Sequence, residues 1–194
     1  MPAAGFLLFL LLYCYAALLY PGGSQADLHH TGYDWINNYW CNLLNEYAMN
    51  GLINPGRPYA IAGNIIIAAT GAYFFYSYSK SIYARSYFKK STPWAGALSM
   101  IFAALLFTRF HDEVSILSGL FGLIALAGIF SGLYQAGSRS LIYFGWIVLI
   151  IIALNNLIYF SGYGLVILPI LQKITLLMIF TWILKVHQLW ASGA

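Results

Sequence analysis

Residues 94–135 read WAGALSMIFAALLFTRFHDEVSILSGLFGLIALAGIFSGLYQ, two long apolar runs with one charged turn between them. A helix that crosses a bilayer needs about 20 mostly apolar residues. The runs 94–110 and 114–135 therefore predict two membrane-spanning helices. The turn RFHDE, from Arg109 to Glu113, joins them on one side of the bilayer.

The rest of the chain has the same character. Its 194 residues are 61% hydrophobic and 7% charged, whereas a soluble domain is about 25% charged. We predict one all-α membrane domain over residues 1–194, a bundle of six transmembrane helices. The first span lacks the basic start and the cleavage site of a signal peptide, so we expect it to be retained. The predicted spans are 5–20, 58–79, 94–110, 114–135, 141–160 and 165–186.

The distribution of charge predicts the orientation of these spans, because Lys and Arg concentrate in cytoplasmic loops. Six basic residues fall in segments that share one side: Lys80, Arg85, Lys89, Lys90, Arg139 and Lys185. All five acidic residues fall on the other side: Asp27, Asp34, Glu46, Asp112 and Glu113. Both termini are therefore expected in the cytoplasm. Since topology accounts for the net charge of +4, that charge does not indicate a nucleic-acid partner.

The longest loop on the acidic side, 21–57, contains the segment DWINNYWCNLLNEYAM from Asp34 to Met49. Its aromatic and aliphatic residues recur at helical spacing, and asparagines fill the opposite face. This pattern predicts an amphipathic helix over 34–49 that lies in the outer membrane–water interface. Two interpretations stay open: the helix only shields the bundle, or its polar face covers a cavity.

The charged turn is the strongest candidate for chemistry. The stretch from Trp94 to Arg109 covers roughly 24 Å at 1.5 Å per residue, less than the ~30 Å hydrocarbon core. We therefore expect the turn to lie below the outer surface, where ionisable groups are costly unless paired or hydrated. His111, Asp112 and Glu113 are the predicted catalytic residues. The alternative is an ordinary exposed turn in which Arg109 pairs with one of the acids.

Other polar residues fall in the outer segments and outer halves of the spans, where they can hold an anionic substrate. The predicted substrate-binding residues are Arg57, Asn64, Arg109, Asn155, Asn156 and Lys173. A lysine as deep as Lys173 must either extend to the interface or find an acidic partner.

A metal-dependent mechanism is one hypothesis for this cluster. Zinc accepts His nitrogen and carboxylate oxygen, and a catalytic site uses three protein ligands. His30 and Asp34 stand four residues apart, and His111 completes the set. Zinc is therefore the cofactor expected if the site holds a metal.

A metal-free mechanism is the other hypothesis. His111 acts as base, oriented by Asp112 or Glu113, and Ser115 or Ser118 acts as nucleophile. Both serines are equally explained by helix packing, because small residues four apart let membrane helices approach closely. The pairs in the fourth span are Ser115/Gly119, Ser118/Gly122 and Gly128/Gly132.

Part of residues 20–63, about a quarter of the chain, carries a family resemblance. Its elements are Tyr20-Pro21-Gly22-Gly23, Gly32-Tyr33-Asp34-Trp35, Asn38 to Leu44, Asn50-Gly51 and Asn54-Pro55. In these it resembles bacterial membrane proteins catalogued as domain of unknown function 998, of the type found in Bacteroidota. The resemblance implies six helices and a bacterial inner membrane, and it implies no activity.

The sequence thus predicts a multi-pass inner-membrane protein with a polar cavity open to the outside and with membrane lipids as partners. The first functional hypothesis is metal-dependent or acid–base hydrolysis of a lipid or lipid-like substrate. The alternative is a non-catalytic protein that binds a lipid, a small ligand or a protein partner, in which the charged turn is structural. The sequence indicates no oligomeric state.

Overall fold

A computed structural model describes residues 1–192, and within them the chain forms six α-helices and no strand. The predicted all-α class is confirmed. A short 3₁₀ helix, Trp40–Leu44, is the other helical element. The helices are α1 (Pro2–Leu18), α2 (Arg57–Tyr78), α3 (Phe88–Ala104), α4 (His111–Gln135), α5 (Arg139–Ser161) and α6 (Leu168–Ser192).

The helices make this a membrane-embedded protein. Four of them, α2, α4, α5 and α6, are long and apolar enough to cross a bilayer. Large apolar side chains such as Leu120, Ile124 and Ile150 lie exposed on their surfaces, as expected where lipid is the solvent. Helices α1 and α3 have 17 residues each, about 26 Å of helix. That all six helices cross the membrane stays a prediction.

The boundaries of the third predicted span differ from the structure. Helix α3 begins at Phe88 and ends at Ala104, so Pro93 lies inside it and residues 105–110 form turns. The predicted range of 94–110 followed hydropathy alone. At the end of the helix, the side chain of Asn64 hydrogen-bonds the carbonyl oxygens of the last turn.

The described residues pack into two compact units, and the boundary between them falls within α1, α2, α5 and α6. The first unit consists of Met1–Leu7, Asn64–Trp146 and the residues from Phe180 onward. The second unit consists of Leu8–Gly63 and Ile147–Ile179.

In the first unit, α3 and α4 form an antiparallel hairpin. Ser99 Oγ donates a hydrogen bond to the carbonyl oxygen of Ser118 at 2.8 Å. Farther from the turn, the side chain of Thr92 lies against Gly128, where a Cβ would have no room. Ser99 pairs with Ser118 and the earlier Thr92 pairs with the later Gly128, so the two helices run antiparallel. Gly122 and Gly128 of α4 therefore allow α3 to approach closely, as their spacing predicted, whereas Gly119 has no atom near the position of a Cβ.

Aromatic rings fill the interior of the first unit where α2, α4, α5 and α6 meet. Phe74 stacks on Trp190 with ring centroids 5.1 Å apart, and Phe130 lies 5.9 Å from Trp182. The indole N–H of Trp182 donates to the carbonyl oxygen of Leu141 at 2.8 Å. Large aromatic rings contribute much contact area per residue, so this cluster ties four helices together.

The second unit contains the loop 19–56, and here the predicted amphipathic helix over 34–49 is wrong. Only the five residues Trp40–Leu44 are helical, and they form a 3₁₀ helix. The flanking residues are turns and bends. Apolar residues at helical spacing were therefore a misleading signal in this loop.

Long-range hydrogen bonds hold this loop in its irregular form. Asp34 Oδ1 accepts from the backbone N–H groups of Ile36 at 3.0 Å and Asn37 at 3.1 Å, as an N-cap residue does, but only one turn follows. Asn38 Nδ2 donates to the carbonyl oxygen of Gly23 at 2.9 Å, fifteen residues earlier. This asparagine thus ties two parts of the loop together instead of lining one face of a helix.

We expect Gly128→Ala to destabilise the protein and Gly119→Ala to be tolerated. The new methyl group at position 128 meets the Thr92 side chain, whereas a Cβ at position 119 meets no atom within 4 Å. Overpacking a tight helix contact costs about 1–3 kcal/mol. Thermal unfolding of both variants in the same detergent measures the difference, and equal losses would contradict the close packing of α3 on α4.

Candidate functional site

The predicted site residues are divided between the two units. The first unit contains Asn64, Arg109, His111, Asp112 and Glu113. The second unit contains His30, Asp34, Arg57, Asn155, Asn156 and Lys173. Within each unit, the contacts of these residues indicate what each side chain does.

The charged turn places a histidine and a carboxylate together at the start of α4. His111 Nδ1 lies 3.1 Å from Asp112 Oδ1, and the two side chains are 39% and 54% exposed. Asp112 and Glu113 occupy the first helical turn, where negative charge interacts favourably with the helix dipole. The guanidinium of Arg109 lies 4.9 Å from the ring centroid of Phe110. A His–Asp contact orients an imidazole for proton transfer, so acid–base chemistry is available to this pair.

The predicted zinc ligands do not form a metal site. Among residues 1–192, no group of three His, Cys, Asp or Glu side chains is placed to hold a metal ion. The hypothesis that His30, Asp34 and His111 share a zinc ion thus has no support from the geometry. No disulfide joins the two cysteines, Cys14 and Cys41.

Asn64 is a buried polar side chain of the first unit. It is 5% exposed, and its Nδ2 donates to the carbonyl oxygens of Ala103 at 3.0 Å and Ala104 at 3.1 Å. The last carbonyl groups of a helix have no partner within the helix. Asn64 supplies that partner for α3, which is a structural role.

Asn155 and Asn156 have different surroundings on α5. Asn155 Nδ2 donates to Thr175 Oγ1 on α6 and to the carbonyl oxygen of Ile151, both at 2.8 Å. Its Oδ1 atom is buried and has no partner within the described residues. Asn156 is exposed and donates to Ile152 at 2.8 Å. Asn155 therefore connects α5 to α6, whereas Asn156 hydrogen-bonds only within its own helix.

Arg57 and its neighbour Asn54 hold the 3₁₀ helix against the start of α2. Arg57 Nε donates to the carbonyl oxygen of Leu44 at 3.1 Å. Asn54 Nδ2 donates to the carbonyl oxygens of Leu43 and Asn45, both at 3.1 Å. Sequence analysis missed Asn54 as a cross-linking residue, although the Asn-Pro step there is a turn signal.

Lys173 also binds the loop. Its Nζ donates hydrogen bonds to the carbonyl oxygens of Asn38 and Pro169. The same group lies 5.8 Å from the ring centroid of Tyr33. Next to it, Gln172 Oε1 accepts a hydrogen bond from the backbone N–H of Trp40 at 3.2 Å. Two consecutive side chains of α6 therefore fasten residues 33–40.

Tyr33 completes this contact from the loop side. Its hydroxyl donates to the carbonyl oxygens of Asn38 at 3.2 Å and Tyr39 at 3.0 Å. Burial raises the pKa of Tyr33, with a smaller contribution from Cys41. The phenol therefore stays protonated and serves as a donor.

Asp34 and His30 both take part in hydrogen bonds with backbone groups of the loop. Burial by itself raises the pKa of Asp34, but hydrogen bonds from Asn37 and Ile36 outweigh it, so the pKa lies below its ordinary value. The carboxylate is thus favoured as an acceptor. The carbonyl oxygen of His30 accepts a hydrogen bond from Gly23 at 2.7 Å.

Two cavities of the first unit are lined by residues that sequence analysis did not select. One has about 420 Å³ and lies at the α4–α5 turn; its lining is Tyr134, Gly137, Arg139, Ile142 and Tyr143. The other has about 510 Å³ and lies between α2 and α3; its lining is Ala72, Tyr73, Tyr76, Pro93, Trp94 and Ala97. Apolar membrane-facing positions carry no signal that separates a groove from ordinary lipid contact, so the cavity between α2 and α3 was not predictable.

No protein-family model, curated protein or solved structure matches this chain. The similarity to domain of unknown function 998 therefore stays a prediction.

We expect Lys173→Met to loosen the loop around Asn38, because it removes the ammonium group from that carbonyl oxygen. Hydrogen bonds to charged groups contribute about 1.5–3 kcal/mol, so hydrogen exchange at residues 36–40 should accelerate by about tenfold or more. Hydrogen exchange followed by mass spectrometry measures this. Lys185→Met is the matched control, because Lys185 is exposed near the end of α6. Unchanged exchange in Lys173→Met would return Lys173 to the list of ligand-binding candidates.

Proposed function

We propose that this chain is a non-catalytic, multi-pass membrane protein that binds a phospholipid acyl chain along the groove between α2 and α3. The observation that supports the proposal is the 510 Å³ groove, which falls within the range of about 300–1,000 Å³ that is usual for small-molecule sites.

The lining of this groove suits a hydrocarbon chain. Its lining combines the small side chains of Ala72 and Ala97 with the aromatic rings of Tyr73, Tyr76 and Trp94. Trp94 is 74% exposed and Tyr76 is 51% exposed. Tyr and Trp are enriched where the hydrocarbon meets the headgroups, so these rings favour an occupant that is apolar at one end and polar at the other.

A positively charged side chain lies beside the groove. Lys80 Nζ lies 4.9 Å from the ring centroid of Tyr76, and the segment from Lys80 to Lys90 carries four of the basic residues. A lipid whose chain occupies the groove would therefore have its phosphate near positive charge. This complementarity favours a phospholipid over an uncharged apolar ligand.

The non-catalytic part of the proposal is supported by the residues that were expected to hold a substrate. Asn64, Arg57 and Lys173 donate hydrogen bonds to carbonyl oxygens of the chain itself. A substrate that used these donor atoms would have to displace structural contacts. Three of the residues expected to bind substrate, Asn64, Arg57 and Lys173, thus serve the fold.

The groove is tested with a phospholipid that carries a photoreactive diazirine in its acyl chain. In vesicles containing the wild-type protein, we expect crosslinks to residues 72–76 and 93–97. Ala97→Phe fills the groove and should reduce this crosslinking several-fold. Ala127→Phe is the control, because Ala127 is exposed on α4 and does not line the groove. Crosslinks spread evenly over all exposed helices, or unaffected by Ala97→Phe, would refute the proposal.

Acid–base hydrolysis of a lipid is the second candidate function, and the 3.1 Å contact between His111 and Asp112 supports it. In this reading, His111 acts as base, and Asp112 or Glu113 orients it. Lipid cleavage products in the same vesicles, measured by mass spectrometry, separate the two candidates. No release above protein-free vesicles supports the non-catalytic proposal. Release that is lost in His111→Gln and kept in His29→Gln would establish hydrolysis instead.

We further propose a bacterial inner membrane, six spans and cytoplasmic termini, on the strength of the basic segments and the resemblance noted above. Alkaline phosphatase, which is active only after export, tests the orientation. Fused after Gly162 in the α5–α6 turn it should be active, and fused after Lys185 it should be inactive. Activity of the second fusion would exclude cytoplasmic C-terminal residues.

A further inference from the structure

Arg139 differs from the other three arginines in having no partner for its guanidinium within the described residues. Arg57 donates to a carbonyl oxygen, and Arg109 lies over a phenyl ring. Arg85 Nε donates to the side-chain oxygen of Gln135 at 2.7 Å when that amide is oriented to satisfy both groups. An arginine that no protein group engages is available for a ligand.

The same residue lines the 420 Å³ cavity at the α4–α5 turn. Tyr134 and Tyr143, on opposite sides of the turn in sequence, line it too, and their side chains are 60% and 66% exposed. Gly137 allows the turn itself, because its φ of +66° is a left-handed conformation that favours glycine. The cavity thus combines one free guanidinium with two phenol hydroxyls.

We infer that this cavity is a binding site for a phosphate group, with Arg139 as its anchoring residue and the hydroxyls of Tyr134 and Tyr143 as further donors. Guanidinium binds phosphate through two parallel hydrogen bonds. A tyrosine hydroxyl can donate a hydrogen bond, which suits an anionic acceptor. The phosphate belongs either to a phospholipid headgroup or to a soluble anion, since both present the same oxygens.

The position of the cavity distinguishes it from the groove between α2 and α3. The groove is lined by apolar and aromatic side chains of α2 and α3, whereas this cavity is formed by the ends of α4 and α5. No residue lines both. The inference therefore does not depend on the proposed function, and variants of each site test it separately.

Binding is measured by native mass spectrometry of the full-length protein in detergent, with phosphatidylglycerol, phosphatidylcholine or inorganic phosphate added in separate experiments. We expect Arg139→Gln to reduce bound phosphatidylglycerol by about tenfold, because charge-assisted hydrogen bonds are lost. Arg139→Lys should retain binding only in part, because lysine lacks the bidentate geometry. Tyr143→Phe removes one hydroxyl and should cause a smaller loss.

Lys89→Gln is the matched control, since it removes one positive charge from the first unit without altering the cavity. Phosphatidylglycerol adducts that depend on Arg139 and not on Lys89 support a lipid headgroup site. Arg139-dependent binding of inorganic phosphate without lipid retention supports a phosphate site with a soluble ligand. Equal losses in Arg139→Gln and Lys89→Gln, or no loss in Arg139→Gln while its thermal unfolding matches the wild type, would overturn the inference.

Discussion

Backbone carbonyl groups that lie away from water need hydrogen-bond donors, and this requirement governs where the polar side chains of the protein are used. A bilayer offers no water to irregular backbone, so a membrane protein must satisfy such groups internally. In this protein, polar side chains supply such hydrogen bonds. Asn64 serves the end of α3, Asn54 and Arg57 serve the 3₁₀ helix, and Lys173 serves the loop at Asn38.

This use of donors changes how the polar residues of an apolar chain are interpreted. Intramembrane ionisable residues are, by default, candidates for function, and Lys173 meets that description. Its contacts instead make it a clamp between α6 and the loop. Arg139, whose guanidinium has no partner among the described residues, was counted in the charge pattern only as a sign of orientation and not as a site residue. In such a chain, the candidates for ligand binding are the polar side chains whose donor groups do not bind backbone carbonyl oxygens.

The helices were predictable because each is a long run of apolar residues, and the first, second, fourth and fifth agree with the predicted spans to within three residues at each end. The third begins and ends six residues earlier than predicted, and the sixth extends six residues beyond its predicted end. The loop from Asp34 to Met49 was predicted as a helix because its aromatic and aliphatic residues recur at helical spacing with polar residues on the opposite face. In the structure the side chain of Asn38 binds the carbonyl oxygen of Gly23, fifteen residues earlier, a contact that residue spacing does not reveal.

The amino-acid sequence was sufficient for the membrane environment, the all-α class and the approximate extent of the helices, because each follows from composition and hydropathy over about 20 consecutive residues. The partners of Asn64, Arg57 and Lys173, the fold of the loop and the two cavities required the tertiary structure. Each of these joins residues distant in the chain. Whether a side-chain donor stabilises the fold or is available to a ligand depends on its acceptor, and only the tertiary structure identifies that acceptor.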